Sequence, residues 1–183
     1  MSGKSPFKLL SREAIFKNKY LEAYKDIVQM SDGVEREYVW SSSAGDGLAV
    51  VAIDNNSVWL IRQYKYATDE FIWSVPAGGV ENGEEPLKWA RIELRQEAGL
   101  VATNWTNLGY FYSSPSTYKQ KAHMFLAQGL KNVDHEREVD EVIETRKVSI
   151  KTAWKMILDN EIMDSFAIVA LLKAFSHLGW VKL

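Results

Sequence analysis

A chain of 183 residues, 46% of them hydrophobic and 12% aromatic, carries enough apolar material for one globular domain with a core and a small extra subdomain. Its 22 Lys and Arg against 24 Asp and Glu leave a net charge of −2 with no basic stripe, which argues against nucleic acid as a partner bound through bulk charge. Cysteine is absent, so disulfides, thiolate metal sites and a cysteine nucleophile are excluded, and any metal must sit on oxygen or imidazole. The opening MSGKSPFKLLSRE has no signal-peptide core, and the most apolar stretch, Phe166 to Leu172, is interrupted by Lys173. The expectation is a soluble cytoplasmic protein with no membrane association.

The first patterned segment, Lys19 to Trp40, alternates Tyr20, Glu22, Tyr24, Asp26 and Val28 against Leu21, Ala23, Lys25 and Ile27. With Asp32-Gly33 before the β-prone Arg36-Glu37-Tyr38-Val39-Trp40, it reads as a hairpin. A two-stranded ribbon is marginal in water, so it needs another surface, for which a second subunit is the attractive candidate. From Gly47 the pattern becomes denser. Leu48–Ile53 and Val58–Tyr64, separated by Asp54-Asn55-Asn56-Ser57, have the length and β-branched content of central strands. Pro76-Ala77-Gly78-Gly79 predicts a loop. Pro86 suits a first helical turn, and Leu87, Ala90, Leu94 and Ala98 form one buried stripe that Gly99 ends. Beyond it, Trp105–Tyr112, His123–Ala127 and Val142–Val148 read as strands. Two amphipathic helices follow, the second capped by Asp164 or Ser165 and ended by Gly179. This order predicts an α+β fold, without the strand-helix alternation of a doubly wound sheet.

Glu93 and Glu97, four apart on the first helix, share a face with Gln96 beside them. The pair reads either as two solvated carboxylates or as ligands of a divalent cation. Gly78, Glu84, Glu93, Leu94, Glu97, Gly99 and Leu100 together resemble the Nudix box, G-x5-E-x7-R-E-U-x-E-E-x-G-U, a loop-helix-loop of the Nudix hydrolase family. Ile92 stands at the box arginine, and Gln96 at the first of its adjacent glutamates. Flanking residues resemble the ADP-ribose pyrophosphatase branch: Arg62-Gln63-Tyr64-Lys65, Pro76-Ala77-Gly78, Ser114-Pro115 and the ending Asn160 to Ser165. Lys65 replaces a more usual arginine, and Ser116 a glycine.

The resemblance implies a Nudix-type α/β/α sandwich with a mixed central sheet over residues 45–183. It also implies an N-terminal β-hairpin region, residues 1–44, that forms a homodimer. It implies Mg2+, with Mn2+ as a substitute, held by the Ala77 carbonyl, Glu93, Gln96, Glu97 and Glu141. Glu93, Glu97 and Glu141 would be the catalytic residues, Glu138 standing in reserve for the last. Arg62, Lys65, Tyr24 and Ser114 would meet the substrate, with Tyr20, Tyr118 and Trp73 as other candidates for stacking a base. The implied reaction is hydrolysis of the pyrophosphate bond of ADP-ribose or a related nucleoside diphosphate sugar. The alternatives are a catalytically weakened nucleotide-binding module and a (d)NTP pyrophosphohydrolase. His123 reads as a core or edge residue, and Asp134–Glu144 otherwise as a solvated acidic edge.

Overall fold

The structure, a computed structural model, describes residues 5–81, 83–134 and 143–180. In chain order its elements are β1 (Lys8–Lys17), β2 (Leu21–Gln29), β3 (Glu35–Ser43), β4 (Gly47–Asp54), β5 (Ser57–Lys65), β6 (Glu70–Ser74), β7 (Ala77–Gly79), α1 (Pro86–Ala98), β8 (Leu100–Tyr112), β9 (Tyr118–Lys119), β10 (Lys121–Asn132), β11 (Ile143–Ser149), α2 (Ile150–Leu158) and α3 (Ser165–His177). The chain forms two compact units, Met1–Gly45 with Tyr112–Gln120, and Asp46–Phe111 with Lys121–Leu183.

The first unit is a four-stranded sheet ordered β1-β2-β3-β9. The anticipated hairpin is β2 and β3, paired from Leu21↔Ser43 to Gln29↔Glu35, and Gly33 supplies the positive φ of +84° at its turn. The alternation read from the sequence has a clear consequence on this face, where Tyr24 stacks on Trp40 and Asp26 is buried. Arg12 grips Asp26 with Nε and Nη2, each at 2.8 Å, while the Trp40 indole donates to the same carboxylate at 2.9 Å. The Arg12 guanidinium also lies over the Tyr24 and Trp40 rings. What the sequence reading lacked is β1, which pairs antiparallel with β2 through two register irregularities. All ten of its residues are exposed, so no buried face writes an alternation into it.

The second unit is a mixed sheet ordered β11-β5-β4-β10-β8, with β6 added to β5 and β7 to β4. Strand β4 runs parallel to β10 and antiparallel to β5. It is buried on both faces, and alternate residues feed two separate clusters. Leu48, Val50 and Ala52 pack with Ala90, Leu94 and Ala98 of α1. Ala49, Val51 and Ile53 pack with Met156 of α2 and Ala170, Leu171, Ala174 and Phe175 of α3. Helices therefore cover both faces of the sheet, as the expected α/β/α layering requires. Among the described residues no helix is long and apolar enough to cross a membrane.

Strand β8 starts at Leu100, five residues before the expected Trp105, because the αL turn at Gly99 (φ +63°) leads straight from α1 into it. Pro76 to Gly79, expected as loop, supplies the short strand β7. The cause lies in β4: its pairing with β5 covers Ala52 to Asp54 and leaves the Gly47–Ala49 edge for Gly79, Gly78 and Ala77.

Candidate active site

Helix α1 begins at Pro86, whose missing N–H is no loss in a first turn, and its apolar stripe docks on the sheet through Ala90, Leu94 and Ala98. That docking turns Glu93 and Glu97 toward β7. Glu97 is buried, at 3% exposure, and its Oε2 accepts the backbone N–H of Ala77 at 2.7 Å. The Glu93 carboxylate lies against Gly78, where an added Cβ would sit 1.9 Å from its Oε1 and 2.3 Å from its Cδ. Glycine at 78 is thus a steric requirement of the carboxylate's position.

The ladder explains why Ala77 is available to the helix. Val50 N–H bonds the Pro76 carbonyl at 2.8 Å, Val80 N–H bonds the Asp46 carbonyl at 2.7 Å, and Gly78 stands opposite Leu48. Even-numbered residues therefore spend their backbone groups on β4. The N–H and C=O of Ala77 are directed to the other side, where the N–H meets Glu97. Two carboxylates, one of them buried, converge on two residues of strand. A cation held between them would offset their mutual repulsion, which burial strengthens. The donors at hand are all oxygen: two carboxylates and the outward Ala77 carbonyl, with half-buried Gln96 one residue before Glu97 on the same helix. That set suits hard Mg2+ or Mn2+. Among the described residues no group of three or more His, Asp or Glu is gathered for a metal. Glu141 and Glu138, proposed from the acidic stretch, lie outside the described residues.

The remaining candidates are placed differently. Glu84, the outlying box acid, is exposed and pairs with Lys88 at 2.6 Å. Ile92 lines a hollow with Val101, Ala102, Trp105 and two arginines, Arg91 and Arg95, and Arg91 lies over the Trp105 ring. The Ala77 N–H holds the Glu97 carboxylate, and the Glu93 carboxylate lies against Gly78. Arg62 on β5 packs over Phe71 and Trp73 and stands 3.7 Å from Glu144. Lys65, at the end of β5, lines a cavity of about 220 Å3 with Ala77 and Gly78. Tyr24 and Ser114 belong to the first unit. The Tyr24 hydroxyl donates to Glu22 at 2.5 Å, which raises the phenol's pKa, and Ser114 pairs with Thr117 in a turn. Sequence reading missed two polar residues of the Lys65 cavity, Ser74 and Asp164; ninety positions apart, they carry no spacing signal.

The sequence profile of the NUDIX domain matches residues 45–166, more than half of the chain, and spans the whole of the site just described. The chain belongs to the Nudix family. This Nudix hydrolase is 32% identical over 162 residues to the ADP-ribose pyrophosphatase of Bacillus subtilis, a match covering 86% of each chain. It is 29% identical over 168 residues to the methanol dehydrogenase activator of Bacillus methanolicus, covering 89% of each. Its fold superposes on a crystal structure of ADP compounds hydrolase with a TM-score of 0.87 at 20% identity, covering 98% of both chains.

Proposed function

We propose that this Nudix hydrolase cleaves the pyrophosphate bond of ADP-ribose, or of a closely related nucleoside diphosphate sugar, in a Mg2+-dependent reaction that releases a nucleoside monophosphate and a sugar phosphate. The observation that carries the reading is the convergence of the Glu93 and Glu97 carboxylates on Ala77 and Gly78. The likeness to the Bacillus subtilis ADP-ribose pyrophosphatase supports the substrate class.

Glu93, Glu97 and the Ala77 carbonyl would hold the cation, with Gln96 and Glu141 as further oxygen donors. A Mg2+ ion held there would supply Lewis-acid polarisation of a phosphoryl oxygen and offset charge on the leaving phosphate. Burial of Glu97 and its bond to Ala77 N–H fix one carboxylate before substrate arrives, so little reorganisation remains for the reaction itself. Lys65 offers a cation to the diphosphate from the neighbouring cavity. A carboxylate, Glu141 first, takes the proton of the attacking water. The N-terminal region, residues 1–44, is the dimer-forming part: β1 exposes Leu9, Leu10, Ile15 and Phe16 along an edge strand, a surface suited to a second copy. A monomeric mass in sedimentation equilibrium would overturn that assignment.

Gln96 favours a second reading, a nucleotide-binding module with slow turnover, because an amide replaces a charged ligand beside the cation site. A panel of nucleoside diphosphate sugars and dNTPs, assayed with Mg2+ or Mn2+ for AMP, sugar phosphate and pyrophosphate, separates the readings. The expected result is AMP and ribose 5-phosphate from ADP-ribose, lost by at least about 100-fold in Glu97→Gln. Binding without turnover supports the module, and pyrophosphate from dNTPs supports a triphosphate substrate.

A further inference from the structure

The cavity beside β7 holds a combination of polar groups of which the pyrophosphatase reading uses Lys65 alone. Its walls are Lys65, Ser74, Asp164 and Phe166, and its far edge is the Ala77-Gly78 backbone on which the α1 carboxylates converge. Asp164 caps α3: its Oδ1 accepts the Ala167 N–H at 2.7 Å and lies 3.2 Å from the hydroxyl of Ser74, itself buried. A carboxylate has about four acceptor sites. Among the described residues Oδ2 of Asp164 has no partner, and Asp164 is in no ion pair. Lys65 Nζ donates to neutral Gln63 Oε1 at 2.5 Å and likewise meets no carboxylate among the described residues. An ammonium without a carboxylate partner and a carboxylate oxygen thus line one small cavity without pairing with each other.

Opposite charges held apart in this way suit a ligand that is anionic at one end and rich in hydroxyls at the other. Phosphate is attracted to Lys65 and repelled by Asp164, whereas hydroxyls donate well to a carboxylate, as they do where an acidic side chain reads a ribose. At about 220 Å3 the space is below the roughly 300–1,000 Å3 of sites that take drug-sized ligands, so it admits a single sugar rather than a whole nucleoside. We propose that this cavity binds the terminal sugar phosphate of the substrate, with Lys65 on the phosphate and Asp164, supported by Ser74, reading the sugar hydroxyls. The proposal deepens the pyrophosphatase reading and rests on it for the placement of the diphosphate at Ala77-Gly78.

The test is calorimetric binding of ribose 5-phosphate and of methyl phosphate to the whole protein, compared with Asp164→Asn and Lys65→Met. Asparagine caps a helix as well as aspartate, so α3 is preserved, which circular dichroism checks. Asp164→Asn should weaken ribose 5-phosphate about tenfold while methyl phosphate, relieved of the carboxylate's repulsion, binds as well or more tightly, whereas Lys65→Met should weaken both. In turnover, Asp164→Asn should raise KM for ADP-ribose about tenfold with kcat nearly constant, and should not raise KM for the methyl ester of ADP, which has no second sugar. The proposal is overturned if wild type binds ribose 5-phosphate no better than methyl phosphate, or if Asp164→Asn affects both ligands alike or neither. Absence of turnover on every diphosphate would refute the hydrolase reading instead, while the binding comparison still judges the cavity.

Discussion

Replacing Gly78 by alanine tests the central geometry with one methyl group. Its carbon would lie 1.9 Å from Glu93 Oε1, about 1.5 Å inside ordinary van der Waals contact. One of the two partners must move, and the structure says which. Strand β7 is pinned by the Val50–Pro76 and Val80–Asp46 bonds and by Glu97 on its other edge, while α1 is fixed by its buried stripe. The flexible Glu93 side chain therefore swings away. An off-rotamer shift costs about 0.5–1.5 kcal/mol, and the gain from replacing glycine at an unstrained position offsets about 0.4–1 kcal/mol of it. For a chain of this size the melting temperature should change by no more than about 4 °C. Turnover should suffer far more, because a displacement of about 1 Å at a reacting centre costs on the order of 100-fold. The assay is kcat and the half-saturating Mg2+ concentration on ADP-ribose beside a thermal melt, with Gly79→Ala as control. A Cβ at Gly79 meets nothing within 4 Å, so that variant should behave as wild type. Near-normal kcat and Mg2+ affinity in Gly78→Ala would refute the convergence as the catalytic centre, as would a large drop in melting temperature accounting for the loss.

Two further outcomes follow from other parts of the molecule. Gln96→Glu restores a charged ligand on α1 and should lower the half-saturating Mg2+ concentration severalfold; an unchanged metal titration would show that residue 96 is no donor. The bond from Arg12, with a smaller contribution from Trp40, holds the Asp26 carboxyl below its ordinary pKa, although burial opposes them. A carboxylate with a lowered folded pKa stabilises fully above its unfolded value and loses that contribution as pH falls through the folded one. The melting-temperature gap between wild type and Asp26→Asn should therefore be widest near neutrality and shrink on acidification below about pH 4, where an ordinary aspartate takes up its proton; a gap independent of pH would contradict the ion pair's role.

The helix of the site was legible because burial writes itself into sequence. Leu87, Ala90, Leu94 and Ala98 repeat at three and four, Pro86 opens the run and Gly99 closes it in the αL conformation. Strand β1 was not, since Lys8–Lys17 buries no face and so carries no period. Strand β7 escaped for a different reason: its identity lies in which backbone groups β4 leaves unpaired, a property of another segment. The Ser74–Asp164 contact joins a residue at the end of β6 to a helix cap, and the capping role read for Asp164 is complete without Ser74. Ile92 shows the limit of reading a motif position by position. The charge missing at that position says nothing of the main-chain N–H of Ala77, which Glu97 accepts and which any residue except proline can provide.

The division of β7 between its two neighbours also bears on how this stretch can evolve. Because successive residues look to opposite sides, a one-residue insertion or deletion between Pro76 and Val80 would hand the Leu48 contacts to the wrong neighbour and present a side chain to Glu93. Length here should be as constrained across descendants of this gene as any buried residue's identity.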